Sequence, residues 1–223
     1  MIMKKTVIIA AMLAASVSVS AQFEQGTLSV QPKLGFSSSR ISNLGKDNVY
    51  GDVFADKKSM DGALLGVEAE YQLTPELGIA AGLNYSLQGS AWEDMVVVYV
   101  DDNGVSQSHM KKDNRMELGY ITVPVTANYY LFEGFAVKAG LQFGFMTNAS
   151  HKYDDGTDKH DIDAMSGMKK FDLSIPVGVS YQFKFPIVLD LRFNLGLTKV
   201  NDSGSDGMRN RQLLLTVGYK FAL

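Results

Sequence analysis

ELGYITVPVTANYYL, from Glu117 to Leu131, is followed by a short break at Phe132, Glu133 and Gly134 and then by FAVKAGLQFGF, from Phe135 to Phe145. In the first arm Ile121, Val123, Val125, Ala127, Tyr129 and Leu131 share one parity, while Tyr120, Thr122, Pro124, Thr126 and Asn128 share the other. In the second arm Phe135, Val137, Ala139, Leu141, Phe143 and Phe145 alternate with Lys138, Gly140, Gln142 and Gly144. A period of two is the mark of a strand with one apolar and one polar face, so the pair reads as a hairpin. Each arm runs about 11 to 15 residues, against roughly 5 to 6 for a soluble strand, and is long enough for a tilted strand to cross a bilayer.

The same pattern recurs on both sides of this hairpin. Before it, Leu28, Val30, Leu34 and Phe36 mark a first strand, Leu65, Val67, Ala69, Tyr71 and Leu73 a second, and Ile79, Ala81, Leu83, Tyr85 and Leu87 a third. After it come Phe171 to Phe185, then Leu189 to Thr198, then Leu213 to Phe221. Turns are expected at Thr74-Pro75-Glu76, where the fixed φ of Pro75 suits a bend, and at Pro186. The count is eight strands. Connections alternate between short turns and longer polar segments, at Ser37 to Gly62, Gly89 to Arg115 and Thr147 to Lys170. The first of these is too irregular to read as a strand. The second contains Met95 to Val100 and the pair Asn103-Gly104, a strong hairpin signal, and is expected to project as a ribbon.

Short turns at one end and long loops at the other are how outer-membrane barrels are built, with the short turns in the periplasm. Tyr71, Tyr129, Phe132, Phe135, Phe183, Phe185, Tyr219 and Phe221 gather at the short-turn end, where an interfacial aromatic girdle belongs. The expected fold is therefore all-β, an eight-stranded antiparallel transmembrane β-barrel. A soluble barrel would put its apolar parity inside and charges outside. Here the polar parity is rich in Gly, Ser, Thr and Asn and carries Lys33, Lys138, Lys184, Arg192 and Lys220 against Glu68, Glu70, Asp172 and Asp190. These near-balanced charges are expected to meet inside a lumen just wide enough for side chains, with Arg192 paired to Glu68 or Glu70.

The remaining composition agrees with that placement. The hydrophobic fraction of 46% and mean hydropathy of -0.02 are unremarkable, because only alternate residues of a barrel meet lipid. The 223 residues suit one all-β domain. A net charge of -3 gives no basic excess, so nothing points to nucleic acid. The absence of cysteine excludes disulfides, a thiol nucleophile and thiolate metal ligands. Lys4 and Lys5, the apolar run from Val7 to about Leu13, and small residues ending at Ala21 read as a secretory signal, residues 1–21, cleaved to leave a barrel domain of residues 22–223.

The hairpin of Leu118 to Val125 and Lys138 to Phe145 resembles the PorT-like outer-membrane β-barrel family, in which a Tyr-x-x-x-Pro strand leads into a Gly-rich one. Phe171 to Leu197 looks like that family's following hairpin and Leu213 to Phe221 like its closing strand. The general shape is also similar to small barrels of the OmpA and OmpX kind. The chain departs from the pattern at its end, where Ala222 and Leu223 follow Phe221. The resemblance implies an outer-membrane location, an envelope of outer-membrane lipids, and passage through the barrel-assembly machinery during biogenesis; most members have no assigned activity, and a few are linked to protein secretion.

No catalytic, cofactor or metal residues are assigned from the sequence. His109, His151 and His160 fall in the long connections, and Asp154, Asp155, Asp158, Asp161 and Asp163 surround His160. That set could offer oxygen and imidazole ligands to a cation, but it lacks the ordered spacing of a calcium loop. Ser150 adjoins His151, and sequence neighbours seldom form a catalytic pair. The expectation is a non-enzymatic barrel that binds an extracellular ligand or an envelope protein, or supports secretion machinery. The alternatives are a small lipid-modifying enzyme or protease of the outer membrane, or a narrow transport channel.

Overall fold

The computed structural model describes residues 24–42, 57–100, 106–166, 168–200 and 208–223. The expected signal segment, the Asn103-Gly104 tip and the last long connection around Gly204 and Gly207 lie outside the described residues. The first strands are β1 (Leu28–Ser42), β2 (Lys57–Thr74) and β3 (Leu77–Trp92). Next come β4 (Met95–Val100), β5 (Ser106–Phe132), β6 (Phe135–Asp154) and β7 (Lys159–Asp163). The chain closes with β8 (Phe171–Gln182), β9 (Ile187–Gly196), β10 (Arg209–Tyr219) and β11 (Phe221–Ala222).

Every pairing is antiparallel, and the ring runs β1, β2, β3, β5, β6, β8, β9, β10 and back to β1. These are the eight expected strands. β11 continues the closing strand along β1, opposite Ser29 and Val30. β4 pairs with the upper part of β5, Met95 opposite Lys111 and Val100 opposite Ser106, which is the projecting ribbon read from the sequence. β7 adds to the upper part of β6, so two extra strands stand above the ring at the long-loop end.

Alternation sorts the side chains as the sequence implied. Leu34 is 65% exposed and Leu65 68%, whereas the inward Lys33 and Glu68 are 5% and 3% exposed. The outward apolar band on β5 runs from Leu131 to Ile121, roughly 25 Å high for a tilted strand of that length. Its lower edge carries exposed Tyr71, Tyr129, Phe132 and Phe185, with Phe132 stacked on Phe135 and Phe183 on Phe185. Its upper edge has a second row, Tyr85, Ile121, Phe145 and Phe171, directly opposite one another across β3, β5, β6 and β8.

Three sequence expectations are corrected. The stretch Ser37 to Gly62 is not wholly irregular: β1 runs on to Ser42 and β2 starts at Lys57, with Ser39 opposite Met60. Above the band the outward side of β1 and β2 turns polar, at Ser38, Arg40, Ser59 and Asp61, so pairing persists where the hydrophobic alternation ends. The same reason hides β7 and the upper part of β6 inside Thr147 to Lys170. Lys184 is exposed in the turn after β8, which ends at Gln182, and so does not face the lumen.

A register slip adds a turn of parity. Tyr120 lies opposite Met146, but Gly119 lies opposite Asn148, leaving Thr147 as an extra residue. Above it Ala149 and His151 take the inner side, opposite Leu118 and Met116.

Candidate functional site

The lumen is filled in tiers. In the lowest, the Glu70 carboxylate accepts from the Tyr130 hydroxyl at 2.7 Å and from Lys220 Nζ at 2.8 Å, while Lys220 also donates to the Tyr130 oxygen at 3.0 Å. Gly78 leaves the room for it, since a Cβ there would collide with the Glu70 carboxylate. Above lies a hub on Glu68. Its Oε2 accepts from Lys33 Nζ at 2.5 Å and Arg192 Nη2 at 3.2 Å, and its Oε1 from Lys138 Nζ at 2.9 Å. Asp190 Oδ2 completes the ring, taking Lys138 at 2.8 Å and Arg192 at 3.2 Å. These five residues come from β1, β2, β6 and β9, so the network crosses the lumen from wall to wall.

The expected pair of Arg192 and Glu68 is present, whereas Glu70 is taken by Lys220 and Tyr130. Asp172 stands apart, nearer the long-loop end, accepting from Thr198 Oγ1 at 2.7 Å. With Lys184 outside, four inward cations, Lys33, Lys138, Arg192 and Lys220, face four inward carboxylates, Glu68, Glu70, Asp172 and Asp190. Tyr130 was missed by the sequence reading. Its parity matches Asn128, which puts it on the lumen side and could have found it.

Next come amides: Asn194 Nδ2 donates to Gln142 Oε1 at 3.3 Å and Gln212 Oε1 at 3.1 Å. The outer mouth is then apolar. Ile41, Leu118, Tyr120, Met146, Ala149 and Val200 are buried together, with Met116, Met165, Met168 and Met208 packed against them. Polar side chains thus close the membrane section and a methionine-rich cap closes the long-loop end.

The projecting sheet above the cap carries the remaining polar chemistry. Glu117 accepts from Arg115 Nε at 2.7 Å and from Lys152 Nζ at 2.6 Å. Partial burial pushes the Glu117 carboxyl up, and the bonds from Lys152 and Arg115 outweigh it, leaving its pKa below the usual carboxylate value. The same bond raises Lys152 above the ordinary lysine value. His160 Nε2 lies 2.8 Å from Asp155 Oδ2, and the ring stacks on Tyr153 with centroids 4.6 Å apart. Asp155 is held well below the usual carboxylate range by the backbone N–H of Asp158, by His160 and by the N–H of Thr157. His151 Nε2 lies 2.7 Å from Asn114 Oδ1 and its ring meets Trp92 edge-on at 6.2 Å. A cavity of about 470 Å³ opens beside it, lined by Lys58, Trp92, Glu93, Asp94, Asn114 and Arg115 among others.

A sequence profile decides the family. The profile described as outer membrane protein beta-barrel domain matches residues 20–202. The chain belongs to that family. The protein is accordingly located in the outer membrane. No curated protein sequence matches the chain. Among solved structures, Ail of Yersinia pestis, bound to the heparin analogue sucrose octasulfate, is similar at 15% identity and TM-score 0.47, covering 88% of this chain and 99% of that one. Neisserial surface protein A is similar at 14% identity and TM-score 0.44, over 88% of this chain and 97% of its own. OprG from Pseudomonas aeruginosa gives 13% and 0.40, over 92% and 100%.

Within this family barrel the acidic stretch after His151 does not converge. Asp155 closes its own turn, Asp161 lies 3.6 Å from Lys152, and Asp163 accepts the Met165 N–H at 2.8 Å. Among the described residues no three His, Asp or Glu side chains come together as a cation site. Ser150 and His151, consecutive in β6, point to opposite faces. His109 pairs through its backbone with Val97 in the ribbon.

Proposed function

We propose that this protein is a non-enzymatic barrel of the PorT-like branch, anchored as a closed cylinder, with its long-loop end facing outward to bind an extracellular ligand or an envelope partner. The observation that carries the reading is the Glu68 hub, which spans the lumen and joins Lys33, Lys138, Asp190 and Arg192 in one bonded network. A lumen filled in this way offers no path for solute, so the surfaces free to act are the outer wall and the long-loop end. There the β4–β5 ribbon and β7 extend the wall beyond the bilayer and present Trp92, His151, Tyr153 and His160 beside paired charges. Rigid staves that carry such extensions are a common arrangement for recognition. Outer-membrane lipids surround the band, and the barrel-assembly machinery is the partner during insertion.

Protease treatment of intact cells tests the orientation. Cleavage is expected between Glu93 and Asn114 or between Asp154 and Lys159. Cleavage confined to Thr74–Glu76 or Phe132–Gly134 would invert the barrel and remove the proposal.

A further inference from the structure

The projecting ribbon does not leave the wall as an unbroken sheet. β3 pairs with β5 up to Ala91 opposite Arg115, and β4 pairs with β5 from Met95 opposite Lys111, in one continuous register. Between those two points the pairing skips Trp92 to Asp94 on one side and Lys112 to Asn114 on the other. On the far flank of β5 the register against β6 slips over the same residues, between Lys112 and Arg115. Asp113, inside both breaks, has a φ of 49°, in the left-handed region that favours glycine. Its N–H donates to the Asp94 carboxylate at 3.3 Å, a side-chain acceptor standing where the ladder is open. Strained backbone held at an interruption of a sheet marks a built feature, and here it borders the cavity of about 470 Å³ beside His151.

That volume is within the roughly 300 to 1,000 Å³ of small-ligand sites, and the lining combines one aromatic ring with a mixed polar rim. Lys58, Ala91 and Arg115 lie directly opposite one another across β2, β3 and β5, and the small Ala91 leaves a hollow between the two long cations. Trp92 is braced: its ring meets His151 edge-on at 6.2 Å, and His151 Nε2 lies 2.7 Å from Oδ1 of Asn114, a buried residue of the same lining. The rim sets Lys58 and Arg115 against Glu93, Asp94 and Asp113, with Lys58 bonded to Glu93 at 3.0 Å and Arg115 to Glu117 at 2.7 Å. An anion therefore meets more acid than base, and a cation meets two like charges. A neutral polyol suits both, because each hydroxyl donates to a carboxylate and accepts from a cation. A sugar ring adds a face of C–H groups that packs on an indole.

We propose that this cleft binds a neutral sugar of one or two rings. Its C–H face lies on Trp92, and its hydroxyls bond Asp94, Asp113 and Asn114. The inference deepens the outward-facing binding role proposed above and rests on that reading only for the side from which the sugar arrives.

The full barrel, folded in zwitterionic detergent micelles free of sugar headgroups, carries its own reporter, since Trp92 is the one tryptophan of the sequence. Fluorescence titration would compare glucose, galactose and N-acetylglucosamine with glucose 6-phosphate, choline and tetraglycine. At least one neutral sugar is expected to shift the emission saturably, with a Kd at or below about 10 mM. Asp113→Gly keeps the left-handed φ and removes a carboxylate, and should weaken that sugar at least about tenfold, as loss of a hydrogen bond to a charged group does. Trp92→Leu, followed by calorimetry because it removes the fluorophore, should abolish the measurable heat. Lys184→Gln, in the turn after β8, should bind as the parent does. Heat-modifiable gel mobility shows that the variants fold. No saturable shift with any neutral sugar, tighter binding of glucose 6-phosphate, choline or tetraglycine than of every sugar, or undiminished binding by either Asp113→Gly or Trp92→Leu would each overturn the assignment. The micelle experiment is blind to orientation, so its failure and a failure of the protease test are told apart.

Discussion

Lys138 and Lys152 each hold two carboxylates. Lys138, 4% exposed, has Glu68 at 2.9 Å and Asp190 at 2.8 Å inside the lumen. Lys152, 31% exposed, has Glu117 at 2.6 Å and Asp161 at 3.6 Å on the projecting sheet. Distance hardly separates the pair around Glu68 from the pair around Glu117; surroundings do. Water and salt can replace either partner of Lys152, so its bonds are worth little net. Nothing can replace a partner of Lys138, so losing one strands a charge in a closed space. The lumen is therefore held together by the cost of breaking it, and the projecting sheet by strand pairing with modest help from charge.

The largest effect is expected at the hub. Glu68→Leu leaves Lys33, Lys138 and Arg192 with Asp190 as their shared anion, and should destabilise the barrel by about 3 to 5 kcal/mol or more. Urea unfolding in micelles, followed by heat-modifiable mobility, measures it. Arg192→Leu should approach the same loss. A Glu68→Leu barrel as stable as the parent would dissolve the contrast between lumen and sheet. Tyr130→Phe comes next: it removes a hydroxyl that donates to Glu70 and accepts from Lys220, at about 1 to 3 kcal/mol in the same assay. Substitution of exposed Tyr129, one residue away on the lipid side, should cost less.

The smallest effect is on the sheet. Lys152→Ala should change protease sensitivity of Asp154–Lys159 by no more than about 1 kcal/mol, and the difference should fade in 1 M salt, where the screening length is about 3 Å. Its pH dependence has a definite sign. The folded pKa of Glu117 is lowered, so its contribution is present above the ordinary carboxylate value and lost as pH falls through the lower folded one. Lys152 is raised, so its contribution is lost only as pH climbs through its elevated value. Between those limits wild type and Lys152→Ala should differ by a constant amount, whereas a difference that peaks near pH 6 to 7 would assign it to another group.

What the sequence made legible follows from where the bilayer imposes a rule. Ile121 to Leu131 and Phe135 to Phe145 alternate because one face meets hydrocarbon and the other a polar lumen, so strands, faces and the lumen charges could be read from parity. That rule lapses above Tyr85, Phe145 and Phe171. Ser38, Arg40 and Ser42 are paired in β1 without any apolar alternation, and KHDID in β7 gives no periodic signal at all. The extra residue at Thr147 then shifts the parity of β6, so His151 and Tyr153 could not be placed by counting upward from Phe145. Lys184 failed for the opposite reason: the parity was right but the strand had already ended.

Conductance tests the closed lumen most directly. Purified protein reconstituted into planar bilayers is predicted to show no steady conductance in the wild type, while Glu68→Leu, if it still folds, should flicker as the severed network loosens. Stable porin-sized channels from the wild-type barrel would contradict the account and return transport to the list of its functions.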